Sequence, residues 1–227
     1  MLLEKRFEEE TAAREAKRKE RDEQHLYLGI RVVTESSFQH YAGSDMASFD
    51  SNPDVDPGAA RHYRLLRSTT IQQAVTRIAG DIGQDPKRVR LWIMVNRQNK
   101  TIRPDQPIMD TRPTIDETHS RAAAHRDQAL RLWVEVAEEV NSDGEAIWPT
   151  YQSQANGVVV KNDLILLFLK CFDVESQLLS GVGHVYISRE KKVEELVPQI
   201  VRKMGWGDKL PSDEKLMIWE VSFDARW

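Results

Sequence analysis

The stretch RHYRLLRSTTIQQAVTRIAGDIGQDPKRVRLWIMV, residues 61–95, carries in succession a short strand, a capped helix, a stop and a second strand. The first strand runs from about Arg61 to Arg67 and leads into Ser68, Thr69 and Thr70. Each of those hydroxyls can accept a hydrogen bond from the free amides that begin a helix. Behind them Ile71, Val75, Ile78 and Ile82 recur at intervals of four, three and four, one apolar stripe along an amphipathic helix. Gly83 supplies the conformational freedom at which helices stop. Val89, Leu91, Ile93 and Val95 then alternate with their neighbours as a half-buried strand does.

Upstream, from His25, Leu26, Leu28, Ile30 and Val32 fall on one side of a strand and Tyr27, Arg31 and Val33 on the other. Residues 41–60, rich in Gly, Pro, Asp and Ser, read as a long surface loop between the first two strands. Downstream, a polar, proline-spotted stretch from Asn96 to Arg126 precedes a closing strand from Ala129 to Ala137, where Leu130, Leu132, Val134 and Val136 alternate. Strand, strand, helix, strand and a late strand is the order of a β-grasp, one helix across a mixed sheet. The expected class is α+β, with a first β-grasp module over 25–140. Residues 141–161, containing Gly144, Pro149 and Gly157, read as a linker.

The same unit then begins again. A strand is expected over Leu164 to Phe172, a second over Val182 to Ile187, a helix over about Arg189 to Met204 and a strand over Leu216 to Val221. Val193, Val197, Ile200, Met204 and Gly205 repeat the spacing of Ile71, Val75, Ile78, Ile82 and Gly83. The second module, 162–227, is expected to be incomplete, because only Ser222 to Trp227 follow where the first module has its closing strand.

Composition narrows the function classes. The 227 residues are 40% hydrophobic and 30% charged, enough apolar material for two small cores with a well-charged surface. A net charge of -4 and pI near 5.9 give no general attraction to nucleic acid or anionic lipid, so the expected partners are proteins, and the expected state a monomer. A lone cysteine fits a reducing compartment. No apolar run approaches the ~20 residues of a membrane span, and the acids of MLLEKRFEEE exclude a secretory signal. Residues 1–24 form a charged linker helix, with Glu10 facing Arg14 and Glu15 facing Lys19 one turn apart. Within it Lys17-Arg18-Lys19-Glu20-Arg21 has the composition of a nuclear localisation signal as well as that of a solvated helix face.

Candidate chemistry is sparse. Cys171 is the sole thiol and lies in the apolar run LILLFLKCFD, where burial is the expectation; His184, on the next strand, brings no partner motif. His119 and His125 are wrongly spaced for helical metal ligands. Asp50, Asn52 and Asp54 start like a calcium loop, but Val55 replaces the turn glycine and Arg61 the bidentate acid. Gly181-Val182-Gly183 lacks a following Lys-Ser or Lys-Thr and suits a hairpin better than a phosphate loop. Trp92, Trp133 and Trp219 fall within expected strands as packing residues, while Trp148, Trp206 and Trp227 are candidate exposed anchors. Glu194, Glu195, Asp208, Asp213 and Glu214 form an acidic neighbourhood, a solvated surface or a docking site for lysine-bearing segments. No catalytic set, metal set or cofactor site is read.

REAKRKERDEQHLYLGIRVVTESSF, VRLWIMVNRQNKTIRP and LILLFLKCFDVESQLLSGVGHVYI together resemble the herpesvirus-associated ubiquitin-specific protease family over nearly the whole chain. The resemblance implies a region of tandem ubiquitin-like domains after the papain-like catalytic domain of a cysteine-type deubiquitinase, with no catalytic boxes of its own. It further implies binding of a viral immediate-early protein and of host nuclear proteins, and residence in nucleus and cytoplasm. The family's acidic docking segment lies later in the second module than this chain extends, and WEVSFDARW departs from the family pattern, so no binding residues carry over. A free-standing ubiquitin-like adaptor is the other reading of the same modules.

Overall fold

The structure, a computed structural model, describes residues 10–15, 18, 23–97, 101–122, 128–154, 157–159, 163–207, 210 and 216–219. Residues 10–15 are helical; Lys17 and Lys19–Arg21 of the basic run lie outside the described residues, as do His125, Asp208, Asp213, Glu214 and Trp227.

A five-stranded sheet forms the first unit. It consists of β1 (Tyr27–Val33), β2 (Arg61–Leu66), β3 (Val89–Asn96), β4 (Ile102–Pro107) and β5 (Ala129–Val136), in spatial order β2-β1-β5-β3-β4. The central β1–β5 pair is parallel and the other pairs are antiparallel, so the sheet is mixed and the class is α+β. Three helices accompany it: α1 (Glu35–His40), α2 (Ile71–Asp81) and α3 (Ile115–Arg121).

Of the three candidate caps before α2, Thr70 takes the role: its hydroxyl accepts from the Gln73 amide at 3.2 Å, and the Gln73 side chain accepts from the Thr70 amide at 3.0 Å. Gly83 stops the helix with φ +70°, and the Gln84 amide reaches back to the Ala79 carbonyl. The apolar stripe Ile71, Val75 and Ile78 packs on Leu28, Ile30, Val32, Leu91, Leu130, Leu132 and Val134, all buried. Leu26 is not in this core; it stands in a 3₁₀ turn over Gln24–Leu26 and is 45% exposed.

Strand alternation sends Val33, Trp92, Met94 and Trp133 to the opposite face, where Phe38 of α1 and Met46 of the long loop join them. The second unit settles there. It is a hairpin of β10 (Leu164–Asp173) and β11 (Leu178–Ser188), whose Leu166 and Phe168 pack into that far-face cluster. The hairpin's other face, with Ile165, Leu167 and Leu169, packs on Val185, Ile187, Leu196 and Ile200 to make a smaller core. Between the units run two short antiparallel pairs, β6 (Glu139–Val140) with β7 (Ala146–Ile147) and β8 (Gln152–Gln154) with β9 (Gly157–Val159).

Several expectations for the second unit change. The helix does not start at Arg189: a 3₁₀ turn over Val193–Leu196 precedes α4 (Val197–Lys203). The tighter 3₁₀ winding turns Val193 outward, 57% exposed, and buries Leu196 in its place. Gly205 does terminate the helix with φ +73° and the Trp206 amide on the Val201 carbonyl, as Gly83 does in the first unit. Leu216–Trp219 is not a strand. No strand lies beside it among the described residues to complete a ladder, so Leu216 packs on the small core while Trp219 is 73% exposed. Gly181-Val182-Gly183 does belong to a hairpin, as expected: it follows the turn at residues 174–177 and lies inside β11 at a break in register opposite Leu169 and Lys170.

Candidate functional site

The chemistry of the molecule concentrates where the second unit meets the far face of the sheet. Arg90 on β3 and Glu135 on β5 are directly opposed in the antiparallel register and buried, 6% and 2% exposed. Arg90 Nε donates to Glu135 Oε2, which also accepts from Trp92 Nε1 at 2.6 Å, while Glu135 Oε1 accepts from the Tyr186 hydroxyl at 2.6 Å. The guanidinium also donates to the carbonyls of Thr150 at 2.8 Å and Tyr151 at 3.2 Å, and to the Tyr186 oxygen at 3.3 Å. Its flat faces meet the rings of Trp148 at 4.2 Å and Trp92 at 5.1 Å. One buried ion pair thus ties together two strands of the first unit, the connecting segment and β11. Burial and the Glu135 charge push the Tyr186 phenol up, keeping it a proton donor.

Beside this node His184 packs edge-on to Trp133, with centroids 5.1 Å apart. Its Nδ1 lies 2.8 Å from Glu35 Oε2, and its amide donates to Glu35 Oε1 at 3.2 Å. Lys203 of α4 reaches Glu138 at 3.0 Å, and that contact holds the Glu138 carboxyl below its ordinary range. A groove of about 550 Å³ opens here, with Trp148, Pro149, His184, Tyr186, Gln199 and Lys203 on its walls.

A second tie lies at the other end of β11. Gly181 and Gly183 let the strand lie against α1: a Cβ on Gly181 would collide with the Phe38 carbonyl oxygen, and one on Gly183 would stand 2.5 Å from Glu35 Oε1. Gln39 donates to the Val182 carbonyl at 3.1 Å, and the Gly43 amide to the Leu179 carbonyl at 2.8 Å. Lys170 completes the clasp, donating to the Gly43 carbonyl while the Phe38 and Tyr41 rings face its ammonium at 5.1 Å each. Burial, then Arg103, lower its pKa to about 8.

The residues singled out from sequence fare differently. Cys171 is half-buried rather than buried, and alternation along β10 puts it on the face away from Phe168, whose cross-strand partner is His184; thiol and imidazole do not meet. Asn52 folds back to accept from the Asp54 amide at 3.0 Å, an Asx turn, and no metal-holding group of His, Cys, Asp or Glu occurs among the described residues. Trp92 and Trp133 are buried packing residues, 4% and 0% exposed, whereas Trp219 is not. Trp148 is half-buried on Arg90. Glu194 and Glu195 are exposed, and Glu195 pairs with Lys191 at 3.0 Å. The Arg90–Glu135 node has only a faint trace in the sequence, an arginine and a glutamate at core-like positions in two apolar strands.

Fold and junction define a two-part α+β scaffold in which a hairpin unit packs on the far face of a mixed five-stranded sheet. Residues 89–223, more than half of the chain and all of the junction from β3 onward, match the family described as the ICP0-binding domain of Ubiquitin-specific protease 7. The chain belongs to that family. Over 207 residues it is 31% identical to ubiquitin carboxyl-terminal hydrolase 15 of Schizosaccharomyces pombe, covering 90% of this chain and 17% of that protein. It is 26% identical to ubiquitin C-terminal hydrolase 13 of Arabidopsis thaliana, over 96% of this chain and 18% of that one. Ubiquitin carboxyl-terminal hydrolase 7 of Drosophila melanogaster is 21% identical over 99% of this chain and 17% of its own length. The chain therefore spans about a sixth of these curated relatives.

Proposed function

We propose that the chain is a non-catalytic region of a cysteine-type deubiquitinase that recruits substrates or regulators to a catalytic domain in the same parent protein. The match of residues 89–223 to a family described by what it binds carries the proposal. Two ubiquitin-like modules, 25–140 and 162–227, joined by 141–161 and preceded by the charged stretch 1–24, are its proposed parts. The sheet order β2-β1-β5-β3-β4 under a single crossing helix supports the first, and the hairpin followed by a glycine-stopped helix supports the second. Protein partners are met by lysine-bearing segments at exposed carboxylates such as Glu194 and Glu195, by a monomeric region working in nucleus and cytoplasm.

The test has two arms. The purified chain is incubated with ubiquitin carrying a thiol-reactive warhead, and no adduct is expected; rapid labelling of Cys171 would overturn the non-catalytic reading. A lysine-bearing peptide is titrated by calorimetry, with saturable binding expected and its loss expected in Glu194→Lys/Glu195→Lys. Undiminished binding by that variant defeats the assigned surface.

A further inference from the structure

The second unit covers only one end of the sheet's far face. The Val33–Trp133 row is buried beneath it, but the strands continue beyond its edge. There the register across β2, β1 and β5 sets His62, Arg31 and Arg131 in one row. Arg64, Gly29 and Ala129 form the next, and Leu66 and Tyr27 the last. Cross-strand neighbours point to the same side, so a histidine and three arginines share a small patch of a chain whose net charge is -4.

Like charges directly opposed in a sheet destabilise it. His62 feels this: burial first, then Arg31, lowers its pKa, and the loop carboxylates Asp50 and Asp54 oppose more weakly. Arg31 forms no ion pair among the described residues. The other arginines are held in place: Arg131 donates to Asn96 Oδ1 at 3.0 Å with its guanidinium 5.3 Å from the Phe49 ring, and Arg64 lies 4.5 Å over the Tyr27 ring. Gly29 and Ala129 make a low floor between the cationic row and the Tyr27–Leu66 row. Sterics do not require that glycine, because an added Cβ would stand 3.6 Å from Ala129 Cβ, an ordinary contact. The arrangement is a shallow trough with Arg31 and Arg131 along one side, beside a His62 ring whose lowered pKa favours its neutral form, and along the other Leu66, 43% exposed, next to Tyr27 with Arg64 over its ring.

We propose that this trough docks an extended acidic segment of a partner protein, its carboxylates over Arg31, Arg131 and Arg64, with the His62 ring as a hydrogen-bonding neighbour, and one apolar side chain against Leu66. Charge complementarity selects the occupant, and the narrow floor suits a single extended chain. This surface is opposite in polarity to a lysine-binding site and lies on the other unit, so it stands or falls separately from the reading above.

The experiment uses the full chain and a fluorescein-labelled oligoglutamate with one central leucine, followed by anisotropy at low and near-physiological salt. Saturable binding that weakens with salt is expected, about tenfold weaker in Arg31→Glu/Arg131→Glu and weakened to a lesser degree in Arg31→Gln/Arg131→Gln. Gly29→Val, which fills the floor and leaves every charge, should also weaken it. Circular dichroism melts should show both arginine pairs folded, the glutamine pair at least as stable as the unmodified chain because it removes the opposed like charges, and the glutamate pair close to it because it only reverses their sign. Absence of saturable binding, equal binding by folded arginine variants, or tighter binding of an oligothymidylate of the same charge would each overturn the proposal. Titration of the lysine-bearing peptide should be unchanged in all three variants.

Discussion

Glu135 illustrates why a charge is kept in a core. Its two oxygens collect Arg90, the Trp92 indole and the Tyr186 hydroxyl, so the cost of dehydrating the carboxylate is met by three donors at once. Removing it leaves a buried guanidinium without its counter-ion. Glu135→Ala should cost roughly 3–5 kcal/mol in urea denaturation. Glu135→Gln, which keeps an acceptor for Trp92 or Tyr186, should cost distinctly less; equal losses would show that the charge alone carries the stabilisation and the remaining acceptor contributes nothing. Lys170 presents the opposite balance. With its folded-state pKa near 8 and an ordinary value of 10.5, the unfolded chain binds more protons between those limits, so stability rises with pH through that window. Below about pH 8 both states carry the proton and the full cost of burying the charge remains. Tyr41, Tyr63 and Tyr186, all raised in the fold, act the other way above their ordinary value of 10.0, which confines the gain to about pH 8–10. Lys170→Met should flatten the rise in denaturation midpoint across that range; an unchanged rise would assign it to another group.

At the scale of elements, the packing of β11 against α1 depends on Gly181. A methyl group there meets backbone, not a side chain that can swing aside. Gly181→Ala should lift the hairpin from α1. Hydrogen exchange should then accelerate at the Gly43 amide, which donates to Leu179, and at the His184 amide, which donates to Glu35, while Ile30 in the first core stays protected. Unchanged protection at Gly43 and His184 would show that the contact is dispensable. None of this docking was legible from sequence, although β1, β2, α2, β3 and β5 were, because each of those carries its own periodicity. β4 was hidden by Pro104 and Pro107, which a strand tolerates only at a sheet's edge, where β4 lies. α3 is signalled in the sequence by the Thr114–Glu117 capping box, a weaker mark than a run of periodic apolar residues. α1 pairs Thr34 with Ser37, without the usual glutamate or glutamine, and follows a strand with no break in hydropathy. The helix expected in the second unit is longer than the one observed because its apolar spacing copies that of α2, while Pro198 confines regular helix to the turns after it.

For the molecule as a whole, the question is whether two units joined in this way unfold as two. A repeat in sequence suggests separate cores, and the residue clusters do divide into a helix-face core and a smaller hairpin core. The far-face cluster belongs to both, with Trp92 and Trp133 from one unit and Leu166 and Phe168 from the other. The polar ties span it too, joining residues 96 apart from Arg90 to Tyr186 and 149 apart from Glu35 to His184. No local pattern encodes such pairings, which is why the modules could be delimited from sequence while their junction could not. If the second unit separated, Trp133 would be exposed and the Arg90–Glu135 pair would lose its Tyr186 donor along with the neighbouring packing. Those costs couple the units, so denaturant unfolding followed by tryptophan emission and by far-ultraviolet circular dichroism should give coincident single transitions. Trp92 and Trp133 report on the junction, and dichroism reports on the sheets and helices of both units. Tyr186→Phe/His184→Ala removes polar ties from the second unit without touching the sheet. It should move the emission change to lower denaturant than the dichroism change, separating junction opening from loss of the first core. Coincident curves in that variant would place the coupling in the apolar contacts of Phe168, and separate curves in the unmodified chain would show that the junction is too weak to join the units.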